Sequence, residues 1–310
     1  MVTKLFDLIF FGRPMLLIPV WTVFLHFHAV ILQTDNTLPF AVYPQGPGNE
    51  VLIILIGLSL LASGTYTFNQ IFDIETDRFN DKLFFLPREI ISIRTAWTYS
   101  IIMTLAGLGI IAFVSYATFF PALMMVGLGI LYSLPRVKLK DRTIEGLLAN
   151  AVAYGFLVPR LAMAGEGLTP GIFVSTLPYF LAIAVGYIMT TIPDAEGDAL
   201  SGKKTVAVVL GPQSALWLAF LTTLATAAAS LWTRNYEILL VAMVTLIMVV
   251  SLLFSLRPRA LMAACKLPIL MLTILAGIHY PFYLLLLLLT IIITRIYYKR
   301  RFGIIYPKLG

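Results

Sequence analysis

Long apolar runs recur from one end of this chain to the other, and they restrict its possible folds more than any other feature. The chain has 310 residues, of which 60% are hydrophobic and only 12% are charged. About 20 apolar residues in a helix cross the roughly 30 Å hydrocarbon core of a bilayer. Inside lipid, backbone N–H and C=O groups need partners within the protein, and a helix provides them locally. The runs therefore predict an all-α polytopic membrane helical bundle, formed as a single integral membrane domain over residues 1–310.

Ten of these runs can be delimited, and they predict nine or ten membrane crossings. They lie at about residues 14–31, 51–69, 96–116, 119–132, 144–164, 172–191, 213–232, 238–256, 261–278 and 282–296. The count depends on the last two runs, because Lys266 and Pro268 interrupt the first of them. Two separate crossings give ten transmembrane helices, whereas one bent or re-entrant element gives nine.

Lysine and arginine are distributed unevenly between the two sides of the predicted bundle. Of the 22 such residues, 20 lie on one side once the spans are drawn, and only Arg160 and Arg234 lie on the other. Cytoplasmic loops of membrane proteins carry an excess of Lys and Arg, so this asymmetry sets the orientation. The net charge of +7 thus reflects insertion in a lipid bilayer and does not predict nucleic-acid binding. The basic tail at Lys299, Arg300 and Arg301 lies on the cytoplasmic side only if there are ten crossings.

Acidic side chains cluster where the second run ends. Asn69, Asp73 and Asp77 follow one another at a spacing of four. Each such step advances only about 40° around a helix, so the three side chains share one face. A charged side chain at the bilayer centre costs roughly 2.5–3.5 kcal/mol on insertion scales, so acids this close to a span indicate a function. Two carboxylates and an amide oxygen are hard ligands of the kind that binds Mg²⁺ together with substrate phosphates.

A matching pair of acids follows the sixth run, on the same predicted side of the membrane. Asp194 and Asp198 are also four residues apart and share a helical face. Two facing sets of carboxylates can bind two or three Mg²⁺ ions around a diphosphate, and such ions neutralise the charge that builds on the leaving group. Mg²⁺ is therefore the predicted cofactor. The predicted catalytic and metal-binding residues are Asp73, Asp77, Asp194 and Asp198. Solvated loop carboxylates are the simpler explanation, but two matched sets among 15 acids argue against it.

The same pattern predicts the class of substrate. A diphosphate that leaves an allylic carbon creates a carbocation, which a donor nucleophile can capture. Water would quench that cation, so a pocket inside the membrane suits the reaction. Basic residues in the cytoplasmic loops are candidate phosphate contacts, and aromatic residues in the spans are candidate contacts to the apolar tail. They are Lys82, Arg88, the loop at 138–142, Lys203 and Lys204 for the diphosphate, and Tyr66, Phe68, Tyr132 and Tyr154 for the tail.

Four motifs resemble those of the UbiA family of intramembrane prenyltransferases, and together they extend over nearly the whole chain. They are R-P at Arg13 and Pro14; N-x-x-x-D-x-x-x-D at Asn69, Asp73 and Asp77; Y-S-x-P followed by lysine at Tyr132, Ser133, Pro135 and Lys138; and DAEGDALSGKKTVAVVLG at 194–211. Either acidic motif alone is a weak signal. Both motifs at the cytoplasmic ends of the second and sixth runs are specific.

The resemblance implies a nine-span helical bundle that transfers a polyprenyl group from a prenyl diphosphate to a hydrophobic acceptor, with Mg²⁺, on the cytoplasmic side. It places the four aspartates and Asn69 in the metal–diphosphate site. It makes Arg13, Lys138 and Lys204 substrate-binding residues, and Lys138 and Lys204 diphosphate contacts. The chain departs from the family pattern at Gln70, where an Asp often follows the Asn. It departs again at Leu86, where an Arg is usual before proline, and Arg88 is the candidate to supply that charge.

The acceptor and an alternative function stay open at this point. Members of the family use aromatic acids, quinone precursors, chlorin pigments, glycerol lipids or carotenoids. The segment IPDAEGD resembles members acting on quinone, tocopherol or carotenoid precursors more than members acting on 4-hydroxybenzoate. A membrane transporter or cation-binding channel with acidic sites at helix ends is the alternative, although transport favours acids near the bilayer midplane. A CDP-alcohol phosphotransferase also uses aspartates at the membrane edge, but its D-G-x-x-A-R pattern is absent.

The histidines are predicted to be packing residues. His26 and His28 are two positions apart, which places them about 200° from each other around a helix, so they do not form a metal pair. His279 lies at a predicted membrane interface, where it would satisfy polar groups.

Overall fold

The structure is a computed structural model that describes residues 2–33, 41–79, 85–164 and 170–307. Those residues form helices and connecting turns, without a strand among them. The helices are α1 (Val2–Phe11), α2 (Pro14–Ile31), α3 (Asn49–Phe72), α4 (Ile74–Phe79), α5 (Ile93–Val114), α6 (Tyr116–Ser133), α7 (Thr143–Val152), α8 (Val158–Ala162), α9 (Pro170–Thr191), α10 (Ala195–Leu200), α11 (Val206–Leu210), α12 (Pro212–Trp232), α13 (Tyr236–Phe254), α14 (Pro258–His279) and α15 (Pro281–Phe302). The predicted all-α class is confirmed.

Nine of the described helices are long and apolar enough to cross a membrane. They are α2, α3, α5, α6, α9, α12, α13, α14 and α15. The predicted fifth run is helical too, but a π-helical turn at Ala153–Leu157 divides it between α7 and α8. Pro159 follows this turn, and a proline has no N–H with which to continue the regular hydrogen-bond ladder. Interruption at this proline explains why the run is not one uniform helix.

The first helix, α1, contacts the end of the last helix, α15, and this contact bears on the number of crossings. Asp7 of α1 accepts hydrogen bonds from Arg301 Nε at 3.0 Å and from the Tyr297 hydroxyl. The rings of Phe10 and Tyr297 stack with their centroids 3.8 Å apart. Helix α1 precedes the first crossing, and Arg301 lies at the far end of α15, the last crossing helix. The chain therefore returns to the side on which it started. An even number of crossings results, ten when the divided run at 143–162 is counted.

A short connection between α5 and α6 agrees with the predicted hairpin between the third and fourth runs. A single residue, Ser115, separates α5 from α6. Its extended backbone ends α5, and its hydroxyl accepts a hydrogen bond from the Ala117 N–H at 3.1 Å, which caps α6. Such caps supply a partner for an N–H group that has none within the helix.

Small residues allow α3 and α5 to pack closely. A Cβ on Gly107 would lie 2.6 Å from the Gly57 carbonyl oxygen and 2.7 Å from the Leu61 nitrogen. The Ser100 hydroxyl donates to the Gly64 carbonyl oxygen at 2.8 Å across the same interface. Glycine and serine at helix contacts permit this approach inside a membrane, where the hydrophobic effect does not drive helices together. The contact fixes α3, whose end carries the first group of acids.

Candidate active site

The first acidic cluster lies at a break between α3 and α4. Helix α3 ends at Phe72, and Asp73 occupies the break with φ of −105° and ψ of 6°. The Asp77 N–H donates to the Asp73 carbonyl oxygen at 2.7 Å, so the one-turn spacing of the two acids is kept. The predicted stripe of Asn69, Asp73 and Asp77 is therefore carried by two helices rather than by one continuous helix.

Asp73 is held from two sides by polar groups. Lys140 Nζ donates to Asp73 Oδ1, in a contact where the lysine side chain is 13% exposed. The Asn69 amide is oriented so that both its nitrogen and its oxygen have hydrogen-bond partners, and its nitrogen donates to Asp73 Oδ2 at 2.9 Å. The Asn69 oxygen then accepts from the Ser133 hydroxyl at 2.9 Å and from Lys140 Nζ at 3.3 Å. Asn69 thus orients both the carboxylate and its lysine partner, and Ser133 orients Asn69.

The second acidic cluster surrounds the short helix α10. Asp194 precedes α10, and the Asp198 N–H donates to the Asp194 carbonyl oxygen at 2.8 Å. Asp198 Oδ1 accepts from Lys203 Nζ at 2.8 Å, and Oδ2 accepts from the Thr205 hydroxyl at 3.2 Å. Each oxygen of the Asp198 carboxylate thus has a defined partner.

Gly202 forms the turn that places Lys203 next to Asp198. Gly202 follows α10 with a φ of +73°, a left-handed conformation that a residue without Cβ adopts at little cost. The turn closes when the Lys203 N–H donates to the Asp198 carbonyl oxygen at 3.0 Å. Burial lowers the pKa of Lys203, but its hydrogen bond to Asp198 and the negative charges of Asp198, Asp141 and Asp73 outweigh this, and the pKa is raised. Lys203 is therefore a cation within electrostatic range of both clusters.

Residues 136–142, the bridging loop, connect the two clusters. Its Lys140 contacts Asp73. The carbonyl oxygen of the next residue, Asp141, accepts from the Lys204 N–H at 2.8 Å. The Thr143 hydroxyl, just beyond the loop, donates to the Lys204 carbonyl oxygen at 2.7 Å. The acids after α3 and those after α9, more than 100 residues apart in the chain, therefore lie at the same end of the bundle, as predicted.

The predicted basic residues differ in where they lie. Lys138 is 43% exposed and pairs with Asp141 at 3.6 Å, while Lys204 and Arg88 are exposed. Lys82 lies outside the described residues. Among the described residues, the lysines that contact the predicted metal-binding aspartates are Lys140 and Lys203. The sequence alone makes Lys203 a candidate phosphate contact and includes Lys140 only within the loop at 138–142. The motif spacing could not identify them, because each is one or two residues from another lysine.

A ladder of polar side chains runs from the first cluster into the membrane. The Asn150 amide donates to the Tyr132 hydroxyl at 3.3 Å, and Tyr132 precedes the Ser133 that contacts Asn69. Further along, the hydroxyls of Tyr66 and Tyr154 lie 3.3 Å apart, and Tyr66 also donates to the Leu16 carbonyl oxygen at 3.1 Å.

Arg13 lies within electrostatic range of the Tyr66 and Tyr154 hydroxyls. Its backbone is in the left-handed region with φ of 58°, directly before α2. The structure thus groups three predicted substrate-binding residues, Arg13, Tyr132 and Tyr154, on the membrane side of the acids.

A half-open cavity of about 350 Å³ lies among the helices next to this ladder. Residues of α2, α3, α7, α9, α12, α13 and α14 line it, together with Tyr154 of the π-helical turn. Most lining side chains are apolar, and Tyr66, Asn150 and Tyr187 are among the polar ones. Tyr187, which lines the cavity, is also within electrostatic range of Asp198 and Asp141. Ligand sites are typically apolar spaces of this size with a few placed polar groups.

The donor set fits Mg²⁺. The aspartates at 73, 77, 194 and 198 offer carboxylate oxygens, and Asn69 adds an amide oxygen. Mg²⁺ prefers oxygen ligands and shares them with substrate phosphates. Two ammonium groups, those of Lys140 and Lys203, already neutralise part of this negative charge.

The fold and the site together define a polytopic helical membrane protein with two groups of acids at one end of its helical bundle and an apolar cavity among its helices. The sequence matches the UbiA prenyltransferase family over residues 36–260. The chain therefore belongs to that family, as its motifs predicted.

Curated relatives of the chain are prenyltransferases by name. Digeranylgeranylglyceryl phosphate synthase of Thermococcus gammatolerans is 32% identical over 185 residues, which cover 59% of this chain and 65% of that protein. Probable homogentisate phytyltransferase 2 of Oryza sativa subsp. japonica is 30% identical over 161 residues, 48% of this chain and 42% of that protein. The matches thus span less than two thirds of the length of these relatives.

Solved structures share the fold. A UbiA homolog from Archaeoglobus fulgidus bound to GPP and Mg²⁺ matches with a TM-score of 0.64 at 20% identity, over 87% of this chain and 98% of that one. A UbiA homolog from Aeropyrum pernix K1 matches with a TM-score of 0.60 at 14% identity, over 84% and 94%. These likenesses confirm the predicted membrane helical bundle.

Proposed function

We propose that this chain is a Mg²⁺-dependent intramembrane prenyltransferase that transfers a polyprenyl group from a prenyl diphosphate to a hydrophobic acceptor. One observation carries the proposal: the bridging loop joins two aspartate clusters, from distant parts of the chain, beside an apolar cavity. The relatives are named for such transfers, and one matching structure is described as bound to GPP and Mg²⁺. The proposal treats residues 1–310 as one membrane domain with its active site on the cytoplasmic side.

The acidic clusters form the diphosphate end of the proposed site. The four aspartates and Asn69 would hold the ions, which when bound neutralise the charge on the leaving diphosphate. Lys140 and Lys203 lie beside the same carboxylates, so both ammonium groups are positioned to contact phosphate oxygens. Lys138 and Lys204, one or two residues away, stay weaker candidates for this contact.

The cavity forms the hydrocarbon end of the proposed site. The C–O bond to the diphosphate breaks and its electron pair leaves with the diphosphate. The allylic cation then bonds to an acceptor atom that loses a proton. The apolar walls of the cavity limit the access of water, which would otherwise capture the cation first. The hydroxyls of Tyr66 and Tyr154 provide polar atoms at which a partly polar acceptor can be oriented.

The acceptor is proposed only as a class. A cavity with mostly apolar walls fits an aromatic or lipid-like molecule, such as a quinone, tocopherol or carotenoid precursor, or a glycerol lipid. The names of the relatives cover both kinds, since they include a glyceryl phosphate synthase and a homogentisate phytyltransferase.

The proposal is tested with purified protein, Mg²⁺, labelled geranylgeranyl diphosphate and a panel of acceptors from both kinds. We expect a labelled product and release of diphosphate. Asp198→Asn keeps the side chain's shape but removes a ligand charge, and it should lower kcat/KM at least about a hundredfold. Glu196→Gln is the matched control, because Glu196 is an exposed acid on the same short helix, and it should retain activity.

Two outcomes would reject the proposal. One is full turnover by Asp198→Asn in a correctly folded preparation. The other is ion uptake by proteoliposomes without consumption of any prenyl diphosphate, which would favour a transporter or channel.

A further inference from the structure

A second group of ligand-type side chains lies at the opposite, outer end of the bundle. His26 is in the second half of α2, Glu237 is in the first turn of α13, and His279 is the last residue of α14. All three are buried, with side chains 0–3% exposed. Their ligand atoms lie within 4.8 Å of one another. Carboxylates and imidazoles are rarely buried this completely without a partner or an ion.

The two imidazoles converge on a single carboxylate oxygen. His26 Nε2 lies 3.0 Å and His279 Nε2 lies 2.8 Å from Glu237 Oε2. The other carboxylate oxygen, Oε1, accepts from the Gln33 amide at 3.1 Å. Both rings therefore present the same nitrogen to one point.

The opposite nitrogen of each ring is also fixed. His26 Nδ1 lies 2.7 Å from the Tyr179 hydroxyl, and His279 Nδ1 lies 2.6 Å from the Ala41 carbonyl oxygen. Histidines that bind metals usually donate their second N–H to a carbonyl or hydroxyl of this kind, which sets the tautomer and the orientation of the ring.

With a divalent ion at the point of convergence, both rings would be neutral. The Nδ1–H of His279 would then donate to the Ala41 carbonyl oxygen, Nδ1 of His26 would keep its contact with the Tyr179 hydroxyl, and Nε2 of each ring would act as a ligand.

We propose that His26, Glu237 and His279 form a binding site for a divalent ion of the Zn²⁺ class. Two imidazole nitrogens and one carboxylate are a known zinc donor set, with a fourth position left for water or the second carboxylate oxygen. Zinc bonds of 2.0–2.2 Å separate neighbouring ligands by roughly 3.3 Å, so the present 2.8 and 3.0 Å need to widen only slightly.

The site differs in chemistry from the acidic clusters at the inner end. Those clusters offer oxygen donors, which suit Mg²⁺, whereas imidazole nitrogen favours zinc and its neighbours in the first transition series. The outer site joins α2, α13 and α14, and each of these helices also lines the cavity. Its ion would hold the cavity wall together at the end away from the aspartates.

The experiment measures metal binding to the full-length purified protein. Protein freed of metal by a chelator is titrated with Zn²⁺, and separately with Co²⁺, in excess Mg²⁺ to occupy the inner clusters. We expect one Zn²⁺ per chain and the visible absorption of tetrahedral Co²⁺. His279→Asn should weaken Zn²⁺ binding about a hundredfold, because it removes a ligand.

Two controls separate this site from others. His28→Asn alters another buried histidine of α2, which contacts Tyr280 at 2.6 Å and lies outside the cluster, and it should leave binding unchanged. Asp198→Asn, at the inner end, should also leave one Zn²⁺ per chain.

The proposal is overturned if the folded wild-type chain binds no Zn²⁺ under these conditions. It is also overturned if folded His279→Asn binds Zn²⁺ as tightly as the wild type. The wild-type titration decides the matter even if the variant does not fold.

Discussion

At the scale of single residues, the main result of the structure is to identify the lysine that contacts Asp73, which the sequence alone does not specify. Lys140 contacts Asp73 and is nearly buried, whereas Lys138 is 43% exposed and lies 3.6 Å from Asp141. A charge pair that is largely withdrawn from solvent interacts more strongly than an exposed one. The aspartates and Asn69 could be predicted from their spacing of four, because helical geometry fixes that relation.

The lysine could not be predicted in the same way. Lys138 has a left-handed backbone with φ of 42°, and a 3₁₀ turn at Leu139–Asp141 follows it. This local reversal decides which side chain faces Asp73, and nothing in a motif of lysines two residues apart specifies it.

Replacement of these two lysines distinguishes their roles. Lys140→Met should lower kcat/KM for the prenyl diphosphate about a hundredfold, because a charge beside the leaving group is lost. Lys138→Met should change kcat/KM about fivefold or less, because Lys138 belongs to an exposed ion pair. Steady-state kinetics with varied diphosphate concentration checks both. Equal effects of the two substitutions would contradict the assignment of Lys140.

At the scale of helices, the positions of the spans follow from sequence, whereas their interruptions do not. Apolar length and lipid chemistry predict the membrane helices. The π-helical turn at Ala153–Leu157 and the break at Asp73 depend on local backbone bonds and neighbours. At Gly155, for example, a Cβ would lie 2.5 Å from the Phe180 Cα. Contacts of this kind are a property of the folded bundle.

The close contact of α3 and α5 can be tested at one glycine. Gly107→Ala would place a methyl group 2.6 Å from the Gly57 carbonyl oxygen, so the helices must separate. Overpacking of this kind typically costs about 1–3 kcal/mol, and the midpoint of thermal unfolding in detergent should fall accordingly.

Gly109 provides the control for this substitution. It is on the same helix, but a Cβ there meets nothing within 4 Å. Gly109→Ala should therefore leave the unfolding midpoint unchanged or raise it slightly, since alanine is the better helix former. A similar loss of stability in both variants would show that helix α5, rather than its contact with α3, is sensitive.

At the scale of the whole molecule, the contact of Asp7 with Arg301 requires an even number of crossings. Labelling of single cysteines with a membrane-impermeant maleimide, in a Cys265→Ser background, checks this. Lys4→Cys and Arg300→Cys should react from the same side, and Arg234→Cys should react from the other. Reaction of Lys4→Cys and Arg300→Cys from opposite sides would mean nine crossings.

The buried group of His26, Glu237 and His279 shows what sequence reasoning misses at this scale. The spacing of His26 and His28 correctly argued against a pair between those two. The two other members of the His26 group, Glu237 and His279, are 211 or more positions away. Only the arrangement of helices brings them together, and a single sequence contains no local signal for it.

The bridging loop has a consequence for how ions would bind at the proposed site. Lys140 donates to Asp73 Oδ1, so a bound ion would compete with this lysine. The adjacent Asp141 carbonyl oxygen accepts from the Lys204 N–H, next to the Lys203 that contacts Asp198. We therefore expect uptake of an ion at one cluster to change the affinity of the other, and thermodynamic linkage makes such an effect equal in both directions. Mg²⁺ saturation should then depart from that of two independent sites.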